Sequence, residues 1–314
     1  MKIIITFAAT VFALNLAASG FADSNFADKV CKESLIDLGN GNFRTTKPIV
    51  KIFEGISFIA SQVSKNNSVL QSSSGLNFSS SHKITDFEVV NLDTILILTP
   101  EFLFNLDPVS NTYRAMAPTQ TIVDSVGKYN FASGLAVKNS LAYIAHGELG
   151  ISVVDLNLMK PILMIENDFN PGTTHRSLIS DVEIAGNKLI AGVDNITYNF
   201  SDETRAFEGL AQFHLSNLSL SSLHRVNQKK EAYHLPKLYV DGQNLIVHNM
   251  FLLFVHPLKR LKSEKLLQPV KRIYTYKFGK PVGRPFIQSG KLSACFHKHT
   301  RETGITTKAM TQGY

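Results

Sequence analysis

Ten histidines, two cysteines and a scatter of arginine, lysine and tyrosine are the side chains of this 314-residue sequence with chemistry to offer. Cys295-x-His297-x-His299 puts three nitrogen or sulfur donors on one side of an extended segment, and those donor types suit zinc or copper. Arg44, Arg176, Lys280 and Tyr129 could instead grip a carboxylate or phosphate through charge-assisted hydrogen bonds. Neither spacing is specific, because a His-x-His pair arises often by chance and an oxidised Cys295 is lost as a ligand. No metal and no cofactor is therefore predicted. Catalytic motifs are weak: the chain has no Gly-x-Ser-x-Gly elbow, no His-Glu-x-x-His and no glycine-rich phosphate loop. Glu148 and Asp194 are the acids to test first for hydrolytic or lytic work, while Asp155 reads as a turn residue; no catalytic residue is assigned.

The compartment follows from the start of the chain. Met1 and Lys2 give a positive end, Ile3 to Ala18 is apolar, and Gly20-Phe21-Ala22 offers a cleavage site, so residues 1–22 are predicted to be a signal peptide and 23–314 a single domain. No later apolar run reaches the roughly 18 residues that span a bilayer. Secretion or delivery to a periplasm follows, and in an oxidising compartment Cys31 and Cys295 are expected to pair.

These side chains must be positioned by something, and the rest of the sequence supplies it. An alternating apolar run, a polar turn and a second apolar run recur six times, as Pro48 to Ser61, Asp86 to Thr99, Gly134 to His146, Asp181 to Gly192, Lys237 to His248 and Pro285 to His297. The second runs begin at Ile56, Ile95, Leu141, Leu189, Leu245 and Leu292, and the turns carry Gly, Asn, Asp or Ser, which tolerate the backbone of tight hairpins. A third run follows in most copies and a weaker fourth near Tyr113, Ile162, Leu223 and Ile273. Four short strands per repeat of about 47 residues predict an all-β fold, a β-propeller of six four-stranded blades, with five or seven as alternatives. The last copy has room for three strands, so Leu35 to Thr45 is expected to supply the missing one and close the ring beside Cys295. The Ser-rich segment Ser61 to Ser81 and the insertion Asp194 to Gly209 read as surface loops.

One copy, Gly150-Ile-Ser-Val-Val-Asp followed by Asn157 and Pro161, resembles the blade of the LVIVD and YVTN propeller repeats, whose third strand carries a Gly-Φ-x-Val-Val-Asp signature, Φ being hydrophobic. The resemblance implies a secreted or surface binding scaffold and carries over no catalytic residue.

In such a ring the loops entering each innermost strand, and those after each second strand, gather around the channel. Offsets from the six anchors place Arg44, His82, Tyr129, His146, His175, Arg176, His234, Lys280 and His297 at that mouth, with His248 beside them, as the predicted ligand-binding set. Charge is uneven along the chain: residues 225–314 hold 17 Lys and Arg against 4 Asp and Glu, and residues 23–224 hold 14 against 21. A basic region attracts anions over about 10 Å. The predicted function is an exported binding or scaffold module for a protein, an anionic glycan or a lipid headgroup; the alternative is a hydrolase or lyase with its site at the channel mouth. Nucleic acid is excluded as a partner, since an exported protein rarely meets it and the basic stretch lacks aromatics spaced to stack bases.

Overall fold

The alternating runs fold first into hairpins whose turns fit the sequence. Lys138 faces Leu141 across Asn139 and Ser140, both in the left-handed region at φ 52° and 60°, and this primed turn twists with the strands that it joins. The turns at Gly186 (φ 60°) and Gly242 (φ 55°) use glycine where a side chain would strain the backbone. A computed structural model describes residues 26–37, 43–46, 48–64, 66–117, 132–169, 177–195, 207–225, 236–249, 252–262, 269, 271–274, 280–288, 291–300 and 304–312.

Helix α1 (Phe26–Glu33) leads into a two-stranded ribbon, β1 (Leu35–Asp37) with β2 (Phe43–Thr45). Five four-stranded antiparallel blades follow. The first is β3 (Ile49–Phe53), β4 (Ile56–Gln62), β5 (Ser68–Ser72) and β6 (Asn77–Ser80); the second is β7 (Asp86–Asn91), β8 (Thr94–Leu98), β9 (Leu103–Asp107) and β10 (Thr112–Met116). The third is β11 (Gly134–Lys138), β12 (Leu141–Ala145), β13 (Ile151–Asp155) and β14 (Lys160–Ile165); the fourth is β15 (Ser177–Ala185), β16 (Lys188–Asn195), β17 (Gly209–His214) and β18 (Leu220–Arg225). The fifth is β19 (Lys237–Asp241), β20 (Asn244–His248), β21 (Leu252–Pro257) and β22 (Lys271–Tyr274), with a 3-10 turn, Leu258–Lys262, after β21. A last sheet has three strands, β23 (Lys280–Gln288), β24 (Lys291–Thr300) and β25 (Gly304–Gln312).

The core lies between successive sheets, as a propeller requires. Phe58, Leu70 and Phe87 with Ile95 and Ile97 join blades one and two. Leu96, Leu98, Leu135 and Ile144 join two and three, and Ile151, Val153, Val182, Leu189 and Phe207 join three and four. Ile190, Leu210, Leu245 and Phe254 join four and five. Ala27, Val30 and Cys31 of α1 pack with Val50 and Ile59 of the first blade and with Phe286 and Cys295 of the last sheet.

The fold is thus the expected all-β propeller, with two corrections. There are five four-stranded blades rather than six, and Leu35 to Thr45 does not supply a strand to the last sheet. Ser34 ends α1 by bonding back to Cys31 O, and Thr46 N donates to Ser34 O at 2.9 Å, so the segment turns on itself and β1 pairs with β2. The ring is closed instead by α1 and the expected Cys31–Cys295 disulfide, whose Cα atoms are 5.1 Å apart. The Ser-rich segment is also corrected, since it forms β5 and β6. Ser68 and Ser80 are buried there, and Ser68 Oγ accepts the Ile84 N–H at 3.0 Å, so hydroxyls that read as loop composition serve between strands. The predicted signal peptide, residues 1–22, lies outside the described residues.

Candidate functional site: a charged central channel

The first strand of each of the five blades and of the last sheet faces one central cavity of about 230 Å³. Its walls come from β3 (Lys51), β7 (Asp86, Glu88), β11 (Leu135), β15 (Asp181, Glu183), β19 (Tyr239) and β23 (Arg284). Two of those strands carry the same sequence device: Asp86-Phe87-Glu88-Val89 and Asp181-Val182-Glu183-Ile184 put an acid at every second position, hence on one face of the strand.

The aspartates bond across blades. Asp86 Oδ2 accepts the Leu135 N–H of the next blade at 3.0 Å, and Asp181 Oδ2 accepts the Leu238 N–H of its next blade at 2.9 Å. Serines do the same one step earlier: Ser133 Oγ donates to Ser180 O at 2.9 Å, and Ser180 Oγ to Pro236 O at 2.7 Å. Two cations complete the lattice. Arg284 Nη1 lies 2.9 Å from Asp86 Oδ2, and its Nη2 donates to Thr85 O (2.7 Å) and Ser133 O (3.1 Å). Lys237 Nζ donates to Ser133 O (2.7 Å) and Ser180 O (2.8 Å) and sits 3.7 Å from Asp181 Oδ1. Carbonyls of three blades are thus held by cations from the fifth blade and the last sheet. Lys51 pairs with Glu88, lies 3.7 Å from Asp86 Oδ1, and stands over the Phe87 ring at 5.7 Å.

Burial sets the protonation of these groups, and neighbours correct it. For Asp86, burial opposes ionisation, but Arg284 and Lys51 outweigh it and hold the carboxyl below its usual range. Glu183 has burial and then the Glu88 charge against it, and is pushed up to about 8. Burial pulls Lys237 down to about 8 although Asp181 opposes this, and it raises Asp181 and Glu88 against the cations beside them. Tyr239 is raised well above its ordinary value by burial, and its hydroxyl has no hydrogen-bond partner among the described residues.

The predicted mouth set is only partly brought together. Lys280 and His297 are register partners in the β23–β24 ladder, and Arg44 lies on β2 opposite Ile36. His146 is buried at the end of β12, where burial lowers its pKa. His248 is buried at the end of β20, opposite Lys237 in the β19–β20 ladder, and is lowered to about 4 by burial and then by Arg284. His82 is elsewhere: it pairs with Glu101 at 3.2 Å and lines a hollow of about 280 Å³ with Phe78, Phe102, Phe104 and Tyr113. Tyr129, His175, Arg176 and His234 lie outside the described residues. Asp155 is the turn residue expected, accepting the Asn157 and Leu158 N–H groups at 2.8 and 3.1 Å. Among the described residues no three His, Cys, Asp or Glu side chains converge as a metal centre.

The sequence reading missed Lys51, Asp86, Glu88, Glu183, Lys237, Tyr239 and Arg284 as one group. It looked to loops, and the signal was in the strands, where the Asp-x-Glu alternation returns at the second and fourth repeats.

No protein-family model matches the chain, and no curated protein matches its sequence. Solved structures match its shape. "Structure of U3-55K" aligns at a TM-score of 0.52 with 7% identity, covering 84% of this chain and 77% of that one. The extracellular domain of the putative hybrid two-component system BT4673 from B. thetaiotaomicron aligns at 0.50 with 12% identity; the match covers 84% of this chain and 35% of that one, so this chain spans about a third of its length. At these identities the likeness establishes the fold alone.

Proposed function

We propose that this chain is an exported binding module for an anionic partner, in which the propeller is a rigid scaffold and its last third supplies the attraction. One observation carries the reading. The aspartates, serines and cations of the channel are engaged with one another and with backbone carbonyls of neighbouring blades, so they hold the ring rather than stand poised around a reacting atom. The surplus charge lies elsewhere, in the 17 basic residues against 4 acidic after residue 224. Lys259 and Arg260 are exposed there, and Lys271 and Arg272 follow on β22. Export is supported by the disulfide and by the signal peptide predicted for residues 1–22; among the described residues no helix is long and apolar enough to cross a membrane. The Gly150 to Asp155 resemblance to LVIVD and YVTN repeats is supported by its position, since β13 is the third strand of its blade.

The test is retention of the purified chain on a sulfated polysaccharide. Binding should weaken roughly tenfold or more from low to physiological ionic strength. It should disappear when Lys259, Arg260, Lys271 and Arg272 are together replaced by Gln. Equal retention of that variant, or retention indifferent to salt, overturns the reading.

A second reading, a hydrolase or lyase, is favoured by the chamber itself, where burial pushes Glu183 up to about 8 and pulls Lys237 down to about 8, bringing an acid and a base each toward neutral pH. Its test is turnover of a panel of glycoside and ester substrates, abolished by Glu183→Gln; no turnover in the unaltered chain rejects it.

A further inference from the structure

Each of the five complete blades covers its third strand with a fourth, and among the described residues the last sheet does not. Its outermost strand, β25, pairs with β24 alone among the described strands, because the segment expected beside it is closed into the β1–β2 ribbon. Helix α1 packs against both β24 and β25 but does not take the fourth-strand position. A neighbour in the plane of the sheet beyond β25 would lie two strand spacings, about 9.5 Å, from β24. Cys31 is tied to Cys295 of β24 with Cα atoms 5.1 Å apart, so α1 crosses the face of the sheet. The outer edge of β25 is nine residues long, and in an antiparallel strand about half of them turn their N–H and C=O groups away from the paired side. Such a row is a template for another strand.

Charge decides which strand. β23, β24 and β25 carry Lys280, Arg284, Lys291, Lys298 and Lys308 and no Asp or Glu. Arg284 is engaged with Asp86; the four lysines have no acid on their own sheet. A second copy of this chain docking edge to edge would set one lysine-bearing sheet against another, and like charges facing across strands are unfavourable. The lysine on the edge strand itself is Lys308, at its midpoint, so antiparallel pairing of two copies centred there would set Lys308 against Lys308, and an acidic strand reverses that sign.

We propose that the open edge of β25 is a docking site for an extended acidic segment of a partner protein, which adds as the fourth strand of the last sheet. This rests on the binding reading above and narrows the anionic partner to a polypeptide. Main-chain bonds supply the attachment, Lys308 lies on the strand beside the added one, and the net positive charge of the sheet favours an acidic segment.

The experiment uses the full chain and three ten-residue probes: alternating Glu and Val, alternating Lys and Val, and the Glu–Val peptide methylated at alternate backbone nitrogens. The Glu–Val peptide should bind and slow amide exchange in β25, the Lys–Val peptide should bind at least tenfold more weakly, and the methylated peptide should not bind. Thr306→Pro and Thr307→Pro separate edge from fold, because N–H groups alternate between the two sides of a strand. One of the pair removes an outward donor and should abolish binding at unchanged stability; the other removes a β24 bond and should destabilise the sheet. Failure of the Glu–Val peptide to bind, binding without protection of β25, or a concentration-dependent dimer through β25 each overturns the proposal. Should the polysaccharide bind while the peptide does not, only this proposal falls; should neither bind, the binding reading falls too.

Discussion

Gly134 and Asp181 contend for one place in the channel wall: a Cβ on Gly134 would lie 1.9 Å from Asp181 Oδ1 and 2.7 Å from Asp181 Cα. The carboxylate that reaches across to the Leu238 N–H can stand there only because the preceding blade opens with a residue that has no side chain. Sequence position alone made Gly134 look like a strand start.

Gly134→Ala should therefore destabilise the protein by about 3 kcal/mol, since it must displace a buried carboxylate and break its hydrogen bond. Gly186→Ala is the comparison. Its Cβ would meet nothing within 4 Å, and only the left-handed backbone is penalised, at about 1 kcal/mol. Urea denaturation of the two variants checks the order.

Arg284→Met leaves Asp86 buried with its nearest charge partner gone and should cost about 3–5 kcal/mol. Adding Asp86→Asn removes the stranded charge, so the double variant should recover part of the loss. A double variant as unstable as the sum of the two single variants would show that the pair is not coupled.

Stability should fall as pH rises from about 6.5 to 8; between about 4 and 6.5 the buried His248, lowered to about 4, contributes in the opposite sense and offsets Glu183. Glu183 holds its proton up to about 8 in the folded protein and only to about 4.3 when unfolded, so the native state binds the extra proton throughout that window. The slope from this group has an upper limit of about 1.4 kcal/mol per pH unit. Asp86 acts in the opposite sense and lower down: its depressed pKa gives stability that is present above about pH 4 and lost as pH falls through its folded value. Above pH 8, Lys237 loses its proton in the folded state before the unfolded one does, and its penalty lifts. Glu183→Gln should flatten the decline between about pH 6.5 and 8, measured by thermal melts across pH.

Cys31→Ser with Cys295→Ser opens a link between residues 264 apart in sequence and should cost about 2–5 kcal/mol. The α1 helix should become accessible to limited proteolysis ahead of the blades, because Ala27, Val30 and Cys31 pack where the disulfide holds them.

Much of the ring was legible because hairpins obey short-range rules. All six anchors, from Ile56 to Leu292, lie in the second strand of their sheet, and Tyr113, Ile162, Leu223 and Ile273 fall in the fourth strands β10, β14, β18 and β22. Composition misled at β5 and β6, where serine pairs with backbone groups inside a blade. Closure was misread for a different reason: Leu35 to Thr45 has a strand's pattern, but Ser34 turns the chain at the end of α1, and local pattern does not say which edge a strand will choose. The channel lattice was harder still. Asp86 and Leu135 are 49 residues apart, Asp181 and Leu238 are 57, and each pair meets only because whole blades stack between them.

The covalent tie between α1 and β24 makes the propeller a loop without ends. Every blade lies between Cys31 and Cys295, so a force drawing apart the segments outside that span would load a sulfur bridge before it reached any blade. Peeling the sheets off one by one from a terminus, the usual mechanical weakness of a ring assembled from a single thread, is denied to this molecule until that bridge is reduced.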